Sequence, residues 1–101
     1  SSLREVPPLC RHRGPYHISD EPYEYFSYGA PHVSPGSFPG AAGHTISLYS
    51  LSKAFGFAGW RVGYVVYPEA LGAPFMKAQD TILICPTIAL SSAVQLVPAI
   101  L

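Results

Sequence analysis

The spacing of apolar and polar residues changes period several times along the chain, and each change marks an element. Leu3, Val6 and Cys10 share a helical face, Ser2 and Glu5 stand at capping-box distance, and Gly14 followed by Pro15 is a stop signal. Pro7 and Pro8 conflict with a helix interior, where each costs about 3 kcal/mol, so this helix is either broken or begins at Pro7. Residues 16–19 (YHIS) read as a short buried strand that delivers Asp20 at its C-terminal end, and EPYEYF after it reads as a turn or short helical piece. Residues 28–44 are too rich in glycine and proline for regular structure and predict a long loop. Residues 45–49 (TISLY) predict a second strand ending at Ser50, and residues 61–67 (RVGYVVY), rich in β-branched and aromatic side chains, a third. A helix is expected from residues 68–71 onward, with a weak period through Phe75, Gln79, Ile82 and Leu83 toward Pro86, and another over residues 91–96. Strands alternating with helical patterns imply an α/β sheet, with ligands at strand ends.

Composition narrows the partners. Six Lys plus Arg balance six Asp plus Glu, so no net field draws the chain to nucleic acid or to an anionic membrane. No run of about 18 apolar residues is long enough to span a bilayer, and no signal-peptide pattern is present. The two cysteines, Cys10 and Cys85, lack metal or redox-motif spacing, which makes a reducing cytoplasm the default expectation. At 101 residues one domain at most is expected; both ends fall inside apparently structured sequence, as in a segment of something larger.

The chemistry concentrates in residues 50–64, SLSKAFGFAGWRVGY. Ser50 and Ser52 offer hydroxyl donors, Arg61 a planar guanidinium fork, and Gly56 and Gly59 a close backbone approach, which together are the parts of a phosphate cup. Lys53 lies in the same loop, where crowding by Arg61 and apolar walls would disfavour its charged form and make it a Schiff-base nucleophile. Asp20 and Tyr23 add a carboxylate and a phenol from the neighbouring strand end. Pyridoxal phosphate needs this set: an anion at its ring nitrogen, a donor to its phenolic oxygen, an amine and a phosphate cup.

Residues 50–63 resemble, position by position, the lysine attachment signature of class I/II, fold-type I pyridoxal phosphate-dependent aminotransferases, and SDEPYEYF resembles the ring-contact segment of the same family, at a typical distance from Lys53. The resemblance covers nearly the whole chain and implies that residues 1–101 are part of the cofactor-binding large domain, an α/β/α sandwich with a mostly parallel sheet. It further implies an aminotransferase of aspartate aminotransferase-like type, acting on amino acid and 2-oxo acid substrates. By the resemblance Lys53 carries the cofactor as a Schiff base and shuttles the proton, Asp20 holds the ring nitrogen and Tyr23 the phenolic oxygen. Ser50, Ser52 and Arg61 hold the phosphate, and the parent enzyme is a homodimer. The family's glycine-rich phosphate turn, stacking aromatic ring, asparagine and substrate-carboxylate arginine have no counterpart in this chain.

Plainer readings stand beside these. Lys53 and Arg61 alone would be a solvated basic loop, and Asp20 alone a turn residue with Glu21 and Glu24 on an exposed face. Tyr25, Phe26 and Tyr28 are expected in the core rather than on a base-stacking surface, Cys85 is expected buried and inert, and His12, His17, His32 and His44 lack paired metal spacing. A lyase, decarboxylase or synthase on the same scaffold, or an inactive fragment, remains the alternative to an aminotransferase.

Overall fold

The computed structural model of the chain describes residues 5–82. Three strands form one sheet in the order β1 (His17–Asp20), β2 (Thr45–Ser50), β3 (Gly63–Val66). The β1–β2 ladder is parallel and β2–β3 antiparallel. Helix α1 (Val6–Arg13) precedes the sheet and packs nearest β1, α2 (Leu51–Ala54) follows β2 directly, and α3 (Gly72–Ile82) follows β3. This is an α/β arrangement, as the alternation of periods predicts.

The proline pair does not break α1. Val6 opens the helix, so Pro7 falls in its first turn, where a backbone N–H has no intrahelical acceptor and its loss costs little. The N-cap is Glu5, without a side-chain cap bond, and the capping box expected from Ser2 falls outside the described residues, as does Leu3. At the other end Gly14 donates its N–H to the Cys10 carbonyl at 2.8 Å, and Arg11, His12 and Arg13 complement the negative end of the helix dipole. Residues 83–86, with Cys85, and the helix expected over 91–96 also lie outside the described residues.

The strand alternation sorts the sheet into two faces. Ile18, Asp20, Ile46, Leu48 and Ser50 share one, with Ile46 buried against it. The other carries Ser19, Thr45, Ser47 and Tyr49, and is covered by the loop of residues 28–44, which turns back over it through a short 3-10 turn, Pro35–Ser37. Successive turn bonds, Ser37 N–H to Ser34 C=O at 3.0 Å, Ala41 N–H to Phe38 C=O at 2.9 Å and His44 N–H to Ala41 C=O at 3.1 Å, order this loop despite its composition. Pro35 and Ala41 are buried where it meets the sheet.

Three expectations fail. The first strand is not buried: it runs over His17–Asp20, one residue later than expected, and Ile18 is 65% exposed. Tyr25, Phe26 and Tyr28 are not core: they are 63%, 47% and 92% exposed, because the turn that carries them projects beyond the end of β1, where no described element covers it. The third strand is shorter than residues 61–67, because Arg61 takes a left-handed conformation (φ 54°, ψ 48°) that a strand cannot contain.

Candidate active site

The candidate residues gather at one end of the sheet because of how its strands run. A parallel pair places the C-terminal ends of β1 and β2 side by side, with Asp20 in register with Leu48 and Ser50 two residues further on the same face. The chain then turns into α2, whose N-cap is Ser50: its Oγ accepts the Ser52 N–H at 3.2 Å. Lys53 follows within that turn. Because β3 returns antiparallel, Arg61 comes back to the same end, just before Gly63 pairs with Ser50. The Leu51 N–H donates to the Val62 carbonyl at 3.2 Å, which ties the start of α2 to the residue after Arg61.

Tyr23 reaches this region less directly. It lies in the turn after β1, 58% exposed, with its ring edge-on to Phe26 at 6.1 Å. The same turn presents Tyr25 edge-on to Phe55 at 5.5 Å, so it abuts the chain just past Lys53. No hydrogen bond or ion pair among the described residues joins Asp20 or Tyr23 to Lys53 or Arg61.

The surroundings of Lys53 differ from those expected. Apolar walls do not enclose it: Lys53 is exposed, because Phe55, Phe57 and Trp60 stack on one another (Phe57 on Trp60 at 5.1 Å) rather than over the amine. Arg61 is exposed too, and its Nη1 donates to the Ala58 carbonyl at 3.0 Å, closing the turn in which it sits. A non-glycine residue at positive φ stores about 1–3 kcal/mol of strain, and such strain gathers at functional sites.

The glycine assignment also changes. A Cβ on Gly56 or Gly59 would meet nothing, so neither provides a close approach within the described chain; Gly56 is required instead by its φ of 68°. The close approach belongs to Gly63, where a Cβ would collide with the Tyr49 carbonyl oxygen.

Sequence reasoning missed a polar network beside Asp20. Glu21, expected on an exposed face, is 5% exposed, because its carboxylate points to the face covered by the loop. It accepts from His32 Nε2 at 2.7 Å and from Ser34 Oγ at 2.9 Å, and Ser34 Oγ in turn accepts from the Tyr49 hydroxyl at 3.1 Å. Burial pushes the Glu21 pKa up, but hydrogen bonds from His32 and Ser34, with smaller contributions from Ser19 and Ser47, outweigh it and hold the group below its ordinary 4.5. A carboxylate with a depressed folded-state pKa contributes stability that is complete above the unfolded value and is lost as pH falls through the folded value. The urea midpoint is therefore expected to fall as pH drops below 4.5, and Glu21→Gln is expected to remove part of that acid dependence; equal slopes in the two proteins would exclude Glu21 as a source.

The donor set suits pyridoxal phosphate. Lys53 and Arg61 supply two cations and Asp20 a carboxylate, none in an ion pair among the described residues, beside the hydroxyls of Ser50, Ser52 and Tyr23. An amine, a carboxylate, a phenol and a guanidinium fork at one sheet end are of the chemistry that the polar groups of that cofactor require.

Comparison with known proteins points the same way. The family described as aminotransferase class I and II matches residues 1–99. The chain is 49% identical over 65 residues to the arginine–pyruvate transaminase AruH of Pseudomonas aeruginosa, covering 64% of this chain and 16% of that protein. It is 36% identical over 95 residues to kynurenine–oxoglutarate transaminase 1 of Rattus norvegicus, covering 92% of this chain and 22% of that protein. The crystal structure of an aromatic aminotransferase from Pyrococcus horikoshii superposes with a TM-score of 0.77 at 35% identity, over 83% of this chain and 23% of that one. The chain thus spans about a fifth of the length of the relatives it matches. With the sheet, the placement of Lys53 and a match that runs almost end to end, the chain belongs to the aminotransferase class I and II family, whose members depend on pyridoxal phosphate.

Proposed function

We propose that residues 1–101 form the cofactor-holding part of the large domain of an aminotransferase that moves an amino group between an amino acid and a 2-oxo acid. The observation that carries this reading is the shared strand end: Asp20 closes β1, Ser50 closes the parallel neighbour β2 on the same face, and Lys53 and Arg61 flank that end without ionic partners among the described residues. The names of the relatives support the substrate classes, since each pairs an amino acid with an oxo acid or is called an aminotransferase.

Bound pyridoxal phosphate supplies an electron-withdrawing ring that accepts the electrons left when a bond at a substrate's α-carbon breaks. In the proposed site Lys53 would hold the cofactor through its Nζ, and the same amine would serve as the proton carrier, a general acid and base. The Asp20 carboxylate would hold the ring nitrogen, and the Tyr23 hydroxyl would serve as donor to the phenolic oxygen. Arg61 would hold the phosphate as a charged fork, roughly twice as strong as a neutral donor, with Ser50 and Ser52 beside it. The same reading makes the parent enzyme a cytoplasmic homodimer; no helix among the described residues is long and apolar enough to cross a membrane.

The test is site-specific labelling. Pyridoxal phosphate added to the chain and fixed with borohydride is expected to appear by mass spectrometry on Lys53 ahead of Lys77 and the N-terminal amine. A label spread evenly over the three amines would overturn the proposal.

A further inference from the structure

Glu21 follows Asp20 directly, and strand alternation sends the two side chains to opposite faces of the sheet. The backbone continues the parallel ladder one step past Asp20, with the Glu21 N–H on the Leu48 carbonyl at 2.8 Å. The Glu21 carboxylate is held from two directions, by His32 Nε2 at 2.7 Å and by Ser34 Oγ at 2.9 Å. The Ser34 hydroxyl gives its proton to Glu21 and accepts from Tyr49 at 3.1 Å, so its orientation is fixed. Tyr49 stands on β2 with its ring stacked 4.8 Å from that of Tyr64 on β3, and the Ser34 carbonyl receives both the N–H of Ser37, at 3.0 Å, and its hydroxyl, at 2.7 Å. One buried carboxylate thereby joins the mouth of β1 to the covering loop and, through Ser34 and Tyr49, to β2, whose Tyr49 ring stacks on Tyr64 of β3.

We infer that Glu21 is a positioning residue for Asp20: by fastening the buried side of the β1 mouth to His32 and Ser34, it fixes the peptide from which Asp20 projects on the open side. The Asp20 role rests on the function proposed above; the fastening does not. A buried carboxylate is tolerated only where partners replace its water, so the network holds one arrangement or loses all its bonds together. Asp20 has no side-chain partner of its own among the described residues, so the adjacent peptide is what orients it. A misplacement of about 1 Å at a reacting group is enough to cost roughly 100-fold in rate, which gives such a fastening its importance.

The test uses the full chain with His32→Ala, Ser34→Ala and Glu21→Gln, the first two altering only the loop side. Without cofactor, amide hydrogen exchange at Glu21 and Ser37 is expected to accelerate about tenfold in the alanine variants and less in Glu21→Gln, while Leu51, bonded across the β2–β3 hairpin, is unchanged. Exchange rising equally at Leu51, or at none of the three, overturns the inference. With cofactor labelled by 15N in its ring, the nitrogen resonance is expected to move in the network variants part of the way toward its position in Asp20→Asn. A resonance that Asp20→Asn moves and the network variants do not would make the network merely structural. One that Asp20→Asn itself leaves in place overturns the proposed role of Asp20, and the amide rates then decide the fastening alone.

Discussion

Lys53→Ala is expected to abolish the borohydride-fixed adduct at this position, a loss of at least about 100-fold in label, because the nucleophile itself is removed. Lys53→Arg separates charge from chemistry. Arginine keeps the cation and most of the length, but its guanidinium stays protonated and does not add to an aldehyde. It is expected to lose the covalent label as completely as alanine does while retaining more of the non-covalent affinity for the cofactor's phosphate. Two measurements check this: mass spectrometry of the reduced adduct, and equilibrium binding followed by the cofactor's absorbance. Because Lys53 is exposed, neither substitution empties a core, and the unfolding free energy is expected to stay within about 0.5 kcal/mol of the parent. A label that persists in Lys53→Ala by moving to Lys77 would show that the amine is not selected by its surroundings.

The second large effect is on the backbone that carries the lysine. Gly63→Ala places a methyl group against the Tyr49 carbonyl oxygen, and both partners are main chain within a hydrogen-bonded ladder, so neither side yields cheaply. A loss of about 2–3 kcal/mol in unfolding free energy is expected, the upper range for overpacking. The damage is also directional. Gly63 faces Ser50, and the Leu51 N–H is bonded to Val62, so spreading the strands here loosens the start of α2 and with it Lys53. Labelling of Lys53 is expected to fall along with the urea midpoint. Gly59→Ala is the control: a Cβ there meets nothing and the position has no positive φ, so the change is expected to lie within about 0.5 kcal/mol. Equal midpoints in the two variants would mean that the strands separate freely at Gly63.

The parts legible in the sequence were those governed by short-range pattern. TISLY announces β2 through β-branched and aromatic residues, and the structure ends the strand at Ser50, one residue beyond the apolar run, where a serine can cap α2. The proline pair likewise finds its physical answer at a helix start. Arg61 was readable as a charge but not as a left-handed residue, since only the closing of its turn on Ala58 demands that conformation. Glu21 was the largest omission. Its partners His32 and Ser34 lie in a loop without periodicity, and nothing local distinguishes a carboxylate that will be buried by that loop from one that faces water. The aromatic residues after β1 failed in the opposite sense: hydrophobicity marks them for burial, but burial needs a covering element, and beyond the edge contact of Tyr25 with Phe55 none of the described ones covers them.

The antiparallel return of β3 bears on the order in which the pieces assemble. Lys53 and Arg61 belong to one hairpin whose contacts are close in sequence, and such local structures form within about 1–10 μs. Asp20 joins only when β1 pairs in parallel with β2, which requires closing the whole intervening loop and losing its conformational freedom first. The hairpin is therefore expected to exist as a folding unit before the carboxylate arrives. Slow steps in refolding should then report on residues 28–44, and substitutions there should change when the two halves of the site meet more than whether each half forms.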